Sequence, residues 1–90
     1  MRKPIQLTLI RKPGCHLCDD ADLVIHAVLA QFRQTEPEAE VTLIEKDILE
    51  DEQLYNRYWE EIPVLLINGQ VHNYWKIDPE RLESALKDLA

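Results

Sequence analysis

Both cysteines of this chain fall in one tetrapeptide, Cys15-His16-Leu17-Cys18, placed where an alternating apolar run, Ile5 to Ile10, gives way to a helical pattern. Residues i and i+3 of a helical turn lie about 5 Å apart between Cα atoms, within the range a disulfide spans. A bond between the two thiols can therefore open and close with little backbone movement. Pro13-Gly14, directly before Cys15, ends a strand and lets the chain bend into a helix. A helix N-terminus offers unpaired N–H groups and the positive end of the dipole, which favour a thiolate at the leading cysteine, Cys15.

Other uses of the pair have less behind them. Zinc needs two further ligands, yet there is no second CxxC, and His16, His26 and His72 form no HxxxH-type pair, so no metal is expected. A structural disulfide closing so short a loop removes little unfolded-chain entropy. Two inert buried cysteines would leave the Pro13-Gly14 turn unexplained.

Ninety residues suffice for one core, and residues 1–90 read as a single domain. The net charge of −7 argues against nucleic acid or an anionic membrane as partner, since both call for basic patches. Behind Met1-Arg2-Lys3 the apolar stretch is interrupted by Gln6 and Thr8, too short and too polar for a signal peptide or a membrane span. The expected compartment is the cytoplasm and the expected state a monomer. In a reducing compartment a lone close pair of cysteines serves catalysis or metal binding more often than it serves as a permanent staple.

The rest of the chain reads as alternating strands and helices. Ile5, Leu7 and Leu9 alternate with Gln6 and Thr8 in a first strand. From His16 to about Arg33, Leu17, Ala21, Val24, Ile25, Val28, Leu29 and Phe32 recur at helical spacing. Val41 to Ile44 forms a second strand, parallel to the first because the long crossover between them suits a right-handed βαβ unit. Asp47 caps a second helix running to about Tyr58, with Leu54 and Tyr58 facing inward. Pro63 opens the apolar run Val64 to Ile67, and Asn68-Gly69 turns it into an antiparallel partner, Gln70 to Tyr74. Asp78-Pro79 starts the last helix. The order is βαβαββα, an α/β fold with a four-stranded mixed sheet flanked by three helices.

That order, a CxxC at the first strand-to-helix junction and a proline opening the third strand together resemble the thioredoxin fold. The chain is most similar to the small glutaredoxin-like proteins, through Lys12-Pro13-Gly14-Cys15-His16-Leu17-Cys18-Asp19, Asp47-Ile48, Leu54, Tyr58, Ile62-Pro63-Val64-Leu65 and Gly69. The resemblance implies a cis Ile62-Pro63 bond lying across from Cys15. It implies a thiol–disulfide oxidoreductase in which Cys15 attacks a disulfide or mixed disulfide and Cys18 resolves the intermediate. The substrate would be a disulfide-bearing protein or a glutathione mixed disulfide, with glutathione as reductant or co-substrate and no resident cofactor. The backbone at Ile62, beside Pro63, would pair with the substrate chain as an added strand. Lys12 matches the basic residue that glutaredoxins use towards glutathione.

Some positions depart from the family pattern. His16 stands where these proteins usually carry Pro or Gly, and it reads either as a substrate-side, pKa-tuning residue or as a solvated helix start. Asn73 to Asp78 lacks the Gly-Gly turn that precedes an acidic residue in glutaredoxins, and Tyr74 and Trp75 put bulk there. His26 is expected to make a surface pair with Asp22, and His72 has no partner that the sequence identifies. Two alternatives remain open: a non-catalytic binding module that holds metal or an iron–sulfur cluster through the CxxC, and a redox sensor.

Overall fold

The computed structural model describes residues 4–90, so Met1, Arg2 and Lys3 lie outside the described residues. Strand β1, Ile5–Arg11, is the spine. Its odd-numbered residues Ile5, Leu7 and Leu9 turn towards one face of the sheet and Ile10 towards the other, and all four are buried. Burial on both faces fits a central strand with helices packed above and below it. On one side β2, Val41–Asp47, runs parallel to it, from Ile5 opposite Val41 to Arg11 opposite Asp47. On the other, β3, Val64–Ile67, runs antiparallel, with Ile10 opposite Val64. β4, Gln70–Tyr74, completes the order β2-β1-β3-β4.

The β3–β4 turn follows the dipeptide rule. Asn68 and Gly69 both take left-handed backbone, with φ of 51° and 83°, as a two-residue turn with the right twist requires. Asn68 also grips the spine, since its Oδ1 accepts the Gln6 N–H at 2.9 Å and its own N–H donates to the Gln6 carbonyl at 2.8 Å. A register shift between Leu65 and Leu66 interrupts the β3–β4 ladder, a bulge that the apolar pattern does not reveal.

Helix α1, His16–Thr35, crosses over between β1 and β2. It packs with α3, Pro79–Leu89, on one face of the sheet, around Leu7, Leu9, Ile25, Leu29, Phe32, Leu82 and Leu86. Asp78 caps α3 by accepting the N–H groups of Glu80 and Arg81. The opposite face is covered by α2, Glu52–Tyr58, through Ile10, Ile48, Tyr58 and Val64. Leu54 and Tyr58 do face inward.

Two readings are corrected. Asp47 does not cap a continuous helix. Its Oδ1 accepts the Leu49 N–H at 2.9 Å and closes a single 3₁₀ turn, Ile48–Glu50, while Asp51 caps α2 by accepting the Leu54 N–H at 3.1 Å. Each aspartate takes a nearby amide for itself, and burial of Ile48 draws the turn between them into the core. Asp47 instead ends β2, which runs three residues beyond Ile44 because β1 offers ladder partners through Arg11. Leu17, expected on the buried stripe, is 50% exposed at the first turn of α1. No helix among the described residues is long and apolar enough to cross a membrane.

Candidate functional site

At the end of β1 the chain passes through Arg11 and Lys12 and turns at Pro13-Gly14, with Gly14 at a φ of +73° that a glycine accepts freely. Cys15 then stands at the N-cap of α1 rather than inside its first turn. Its backbone is extended and its Sγ accepts the Cys18 N–H at 3.2 Å, filling the role that a serine or aspartate oxygen plays at other helix starts. Both thiols are free. Cys15 is half-buried and open to a partner, whereas Cys18, one turn along, has no exposed surface.

Burial pushes the Cys18 thiol up to about 11, and its hydrogen bond with Cys15 acts in the same direction. The Lys12 backbone and the Arg11 charge pull it the other way without prevailing. At neutral pH Cys18 is therefore a protonated thiol.

Ile62 and Pro63 lie at the same end of the sheet. Because Val64 sits opposite Ile10 in an antiparallel pair, the residues before Val64 continue alongside those after Ile10, that is, beside Arg11 and Lys12. The Ile62–Pro63 peptide is cis. The Pro63 carbonyl accepts the Trp75 N–H at 2.7 Å, whereas the Ile62 N–H and C=O have no hydrogen-bond partner among the described residues. The geometry thus gathers Cys15, Cys18, Ile62 and Pro63 at one sheet end, with the Ile62 backbone unpaired.

Lys12 and His16 reach the same end and are exposed, and neither side chain makes an ion pair or hydrogen bond among the described residues. Lys12 lines an open hollow of about 370 Å³ with Arg11, Pro13, Glu45, Lys46 and Asp47. His26 pairs with Asp22, Nε2 to Oδ1, at 3.2 Å on the surface of α1. His72 sits half-buried on β4 with its Nε2 unpartnered, and burial, with Arg81 nearby, lowers its pKa. Neither histidine belongs to the group of residues gathered around the cysteines.

Two residues whose placement the sequence does not reveal matter here. The first is Arg11. Its guanidinium binds Asp19, then Asp22 at 3.4 Å and Glu45 at 3.2 Å, tying the start of α1 to the ends of β1 and β2. Burial alone would lower its pKa, but the hydrogen bonds to Asp19 and Glu45 outweigh that and raise it. Arg11 also sits between the carboxylates of Asp22 and Glu45. With His26, these form the one grouping among the described residues whose donor atoms could converge on a cation, and it contains neither cysteine. The second is Trp75, whose φ of +61° is uncommon for any residue other than glycine. Its indole N–H donates to the Glu60 carbonyl at 3.3 Å, which holds it beside the segment leading to Ile62.

Solved structures share this architecture. A structural-genomics target protein from X. campestris is 28% identical, with a TM-score of 0.64 over 93% of this chain and 99% of that one. A protein from Nitrosomonas europaea solved by NMR is 21% identical, with a TM-score of 0.63 over 94% of each chain. A mutant thioredoxin from Halobacterium salinarum, 17% identical, reaches a TM-score of 0.62 over 97% of this chain and 75% of its own, which establishes the thioredoxin-like fold. The glutaredoxin-like domain (DUF836) matches residues 6–87, nearly the whole length, and the chain belongs to that family.

Proposed function

We propose that this protein is a thiol–disulfide oxidoreductase that works through Cys15 and Cys18. The observation that carries the reading is the asymmetry of the pair: an accessible outer thiol at a helix N-cap, hydrogen-bonded to the amide of a fully buried inner thiol whose pKa is raised. Such a pair separates the two steps of exchange.

The Cys15 thiolate attacks one sulfur of a substrate disulfide, forming a Cys15–substrate mixed disulfide and releasing the other substrate sulfur as a thiolate that takes up a proton. Cys18 then loses its proton and attacks the Cys15 sulfur, expelling the second substrate thiolate. The substrate gains two electrons and two protons, and the protein is left with a Cys15–Cys18 disulfide. An external thiol, glutathione or a dithiol protein, returns it to the reduced form by the reverse exchange. Lys12 stands exposed at the same sheet end as Cys15, and the unpaired backbone of Ile62 offers the substrate chain a strand to pair with. Partners of this kind are proteins that carry an accessible disulfide, or glutathione mixed disulfides.

The test compares wild type, Cys15→Ser and Cys18→Ser in reduction of a protein disulfide and of a glutathione mixed disulfide. Glutathione and a thioredoxin-reductase system serve as separate electron sources. Loss of turnover in Cys15→Ser, with a trapped mixed disulfide in Cys18→Ser, is the expected result. Equal rates for wild type and Cys15→Ser would overturn the reading.

A further inference from the structure

Trp75 is held in place at several points and yet left in solvent. Its N–H donates to the Pro63 carbonyl, its indole N–H donates to the Glu60 carbonyl, and the residue is still 56% exposed. The Asn73 side chain braces the loop from both sides, its Nδ2 donating to the carbonyls of Tyr74 at 2.8 Å and Lys76 at 2.6 Å. A left-handed tryptophan costs about 1 kcal/mol or more, and such outliers persist where the surrounding structure enforces them. Burial of the ring does not offset that cost here. The arrangement instead fixes an indole face beside Ile62, at the edge where the backbone is unpaired.

The stretch that leads to Ile62 is strongly acidic, while Lys76 follows Trp75 in the chain and Lys12 stands at the same sheet end. Residues 48–63 leave the sheet after Asp47, opposite Arg11, and return at Val64, opposite Ile10, so both ends of this stretch meet the sheet end that carries Cys15. The stretch holds Glu50, Asp51, Glu52, Glu60 and Glu61 against a single base, Arg57, and that guanidinium lies over the Tyr58 ring, 5.2 Å from its centre. An exposed indole face next to carboxylates suits the side chain of lysine or arginine, whose cation is drawn to the ring and to the acids together.

We propose that Trp75, with Glu60 and Glu61, selects an extended basic segment of a disulfide-bearing partner protein. This rests on the disulfide-exchange reading of the site and adds the class of partner. The segment pairs its backbone with Ile62, and a lysine or arginine beside the reacting cysteine lies on the indole. Because both N–H groups of Trp75 are already bound, the ring is presented without rearrangement, and little ordering opposes binding.

The test uses two short peptides with serine in place of the reacting cysteine, one flanked by lysines and arginines and the other by glutamates, titrated by NMR at the Trp75 indole proton. The lysine/arginine peptide is expected to bind about tenfold tighter at low salt, the gap narrowing as ionic strength rises to about 0.5 M. Trp75→Gly, which accepts the left-handed backbone, is expected to weaken binding of that peptide by about fivefold, followed at backbone resonances of Ile62. The Glu60→Gln/Glu61→Gln double variant should bring the two peptides together. Equal affinity of the two peptides, or an unchanged affinity in Trp75→Gly, overturns the proposal. The same sequences prepared as disulfides separate it from the redox reading. Turnover without charge preference removes the partner class and leaves the chemistry, whereas charge-selective binding without turnover supports the surface and removes the enzyme.

Discussion

The Cys18 amide donates its hydrogen to the Cys15 sulfur at 3.2 Å, so the outer thiol is also the N-cap of α1. Substitutions at Cys15 therefore separate chemistry from capping. Cys15→Ser keeps an acceptor at the cap and is expected to unfold within about 0.5 kcal/mol of reduced wild type, while Cys15→Ala loses about 1 kcal/mol. Both should lose disulfide exchange. Urea unfolding under reducing conditions, set beside turnover, checks the pair, and equal stability of the two variants would show that the sulfur does not cap the helix.

Cys18 predicts an alkaline loss of stability. Its folded pKa of about 11 lies above the ordinary 9.0, so folding favours the neutral thiol. Below the lower value both states keep the proton and stability does not respond. Between the two, the unfolded chain releases its proton while the folded chain retains it, and stability falls as pH rises, by about 1.4 kcal/mol per unit from this group. Cys18→Ala should lack that slope. The measurement is the difference in unfolding free energy between reduced wild type and the variant as pH is raised through this window, and a flat difference would refute the assignment. Iodoacetamide at neutral pH should label Cys15 and spare Cys18 for the same reasons, burial and proton retention.

The features that could be read from the sequence are those written in local pattern. Alternation at Ile5 to Leu9, helical spacing from Ala21 to Phe32 and the Asn68-Gly69 dipeptide each impose one geometry on a short stretch, and the structure has them at those places. The interrupted second helix was hidden because Asp47 and Asp51 are both good caps and nothing local decides between one long helix and a 3₁₀ turn followed by a shorter helix. The Arg11 web was hidden for another reason: its partners Asp19, Asp22 and Glu45 come from two other elements and meet only once β2 has paired with β1. Trp75 runs against propensity, so no rule of residue preference would place it at positive φ. Pattern located the CxxC and the proline segment, whereas the Arg11 ion web and the placement of Trp75 depend on tertiary contacts.

Arg11 should be worth more than an ordinary surface cation, because it answers three carboxylates at once and keeps only 21% of its side chain exposed. Arg11→Gln leaves Asp19, Asp22 and Glu45 facing one another and is expected to cost about 1–2 kcal/mol at low salt. Salt screens both the lost attraction and the new repulsion, so the loss should shrink by about half near 0.5 M. Arg11→Lys restores the charge without the planar fork and should recover only part of it. Thermal unfolding of the three proteins at two ionic strengths tests this, and a salt-independent loss would mean that Arg11 acts through packing alone.

Gly14 predicts a coupling between the turn and the chemistry. Its φ is +73°, and a Cβ added there meets no atom within 4 Å, so the penalty of Gly14→Ala is conformational, about 1 kcal/mol. Gly69, at a φ of +83° with the same open surroundings, is a matched control in the β3–β4 turn. Both alanine variants should lose similar stability. Only Gly14→Ala should also slow disulfide exchange, because relaxing its backbone shifts Cys15 away from the Cys18 amide, whereas the Asn68-Gly69 turn lies at the opposite end of β3 from Ile62-Pro63. If Gly69→Ala slows exchange as much as Gly14→Ala, the effect reports global stability rather than placement of the thiol.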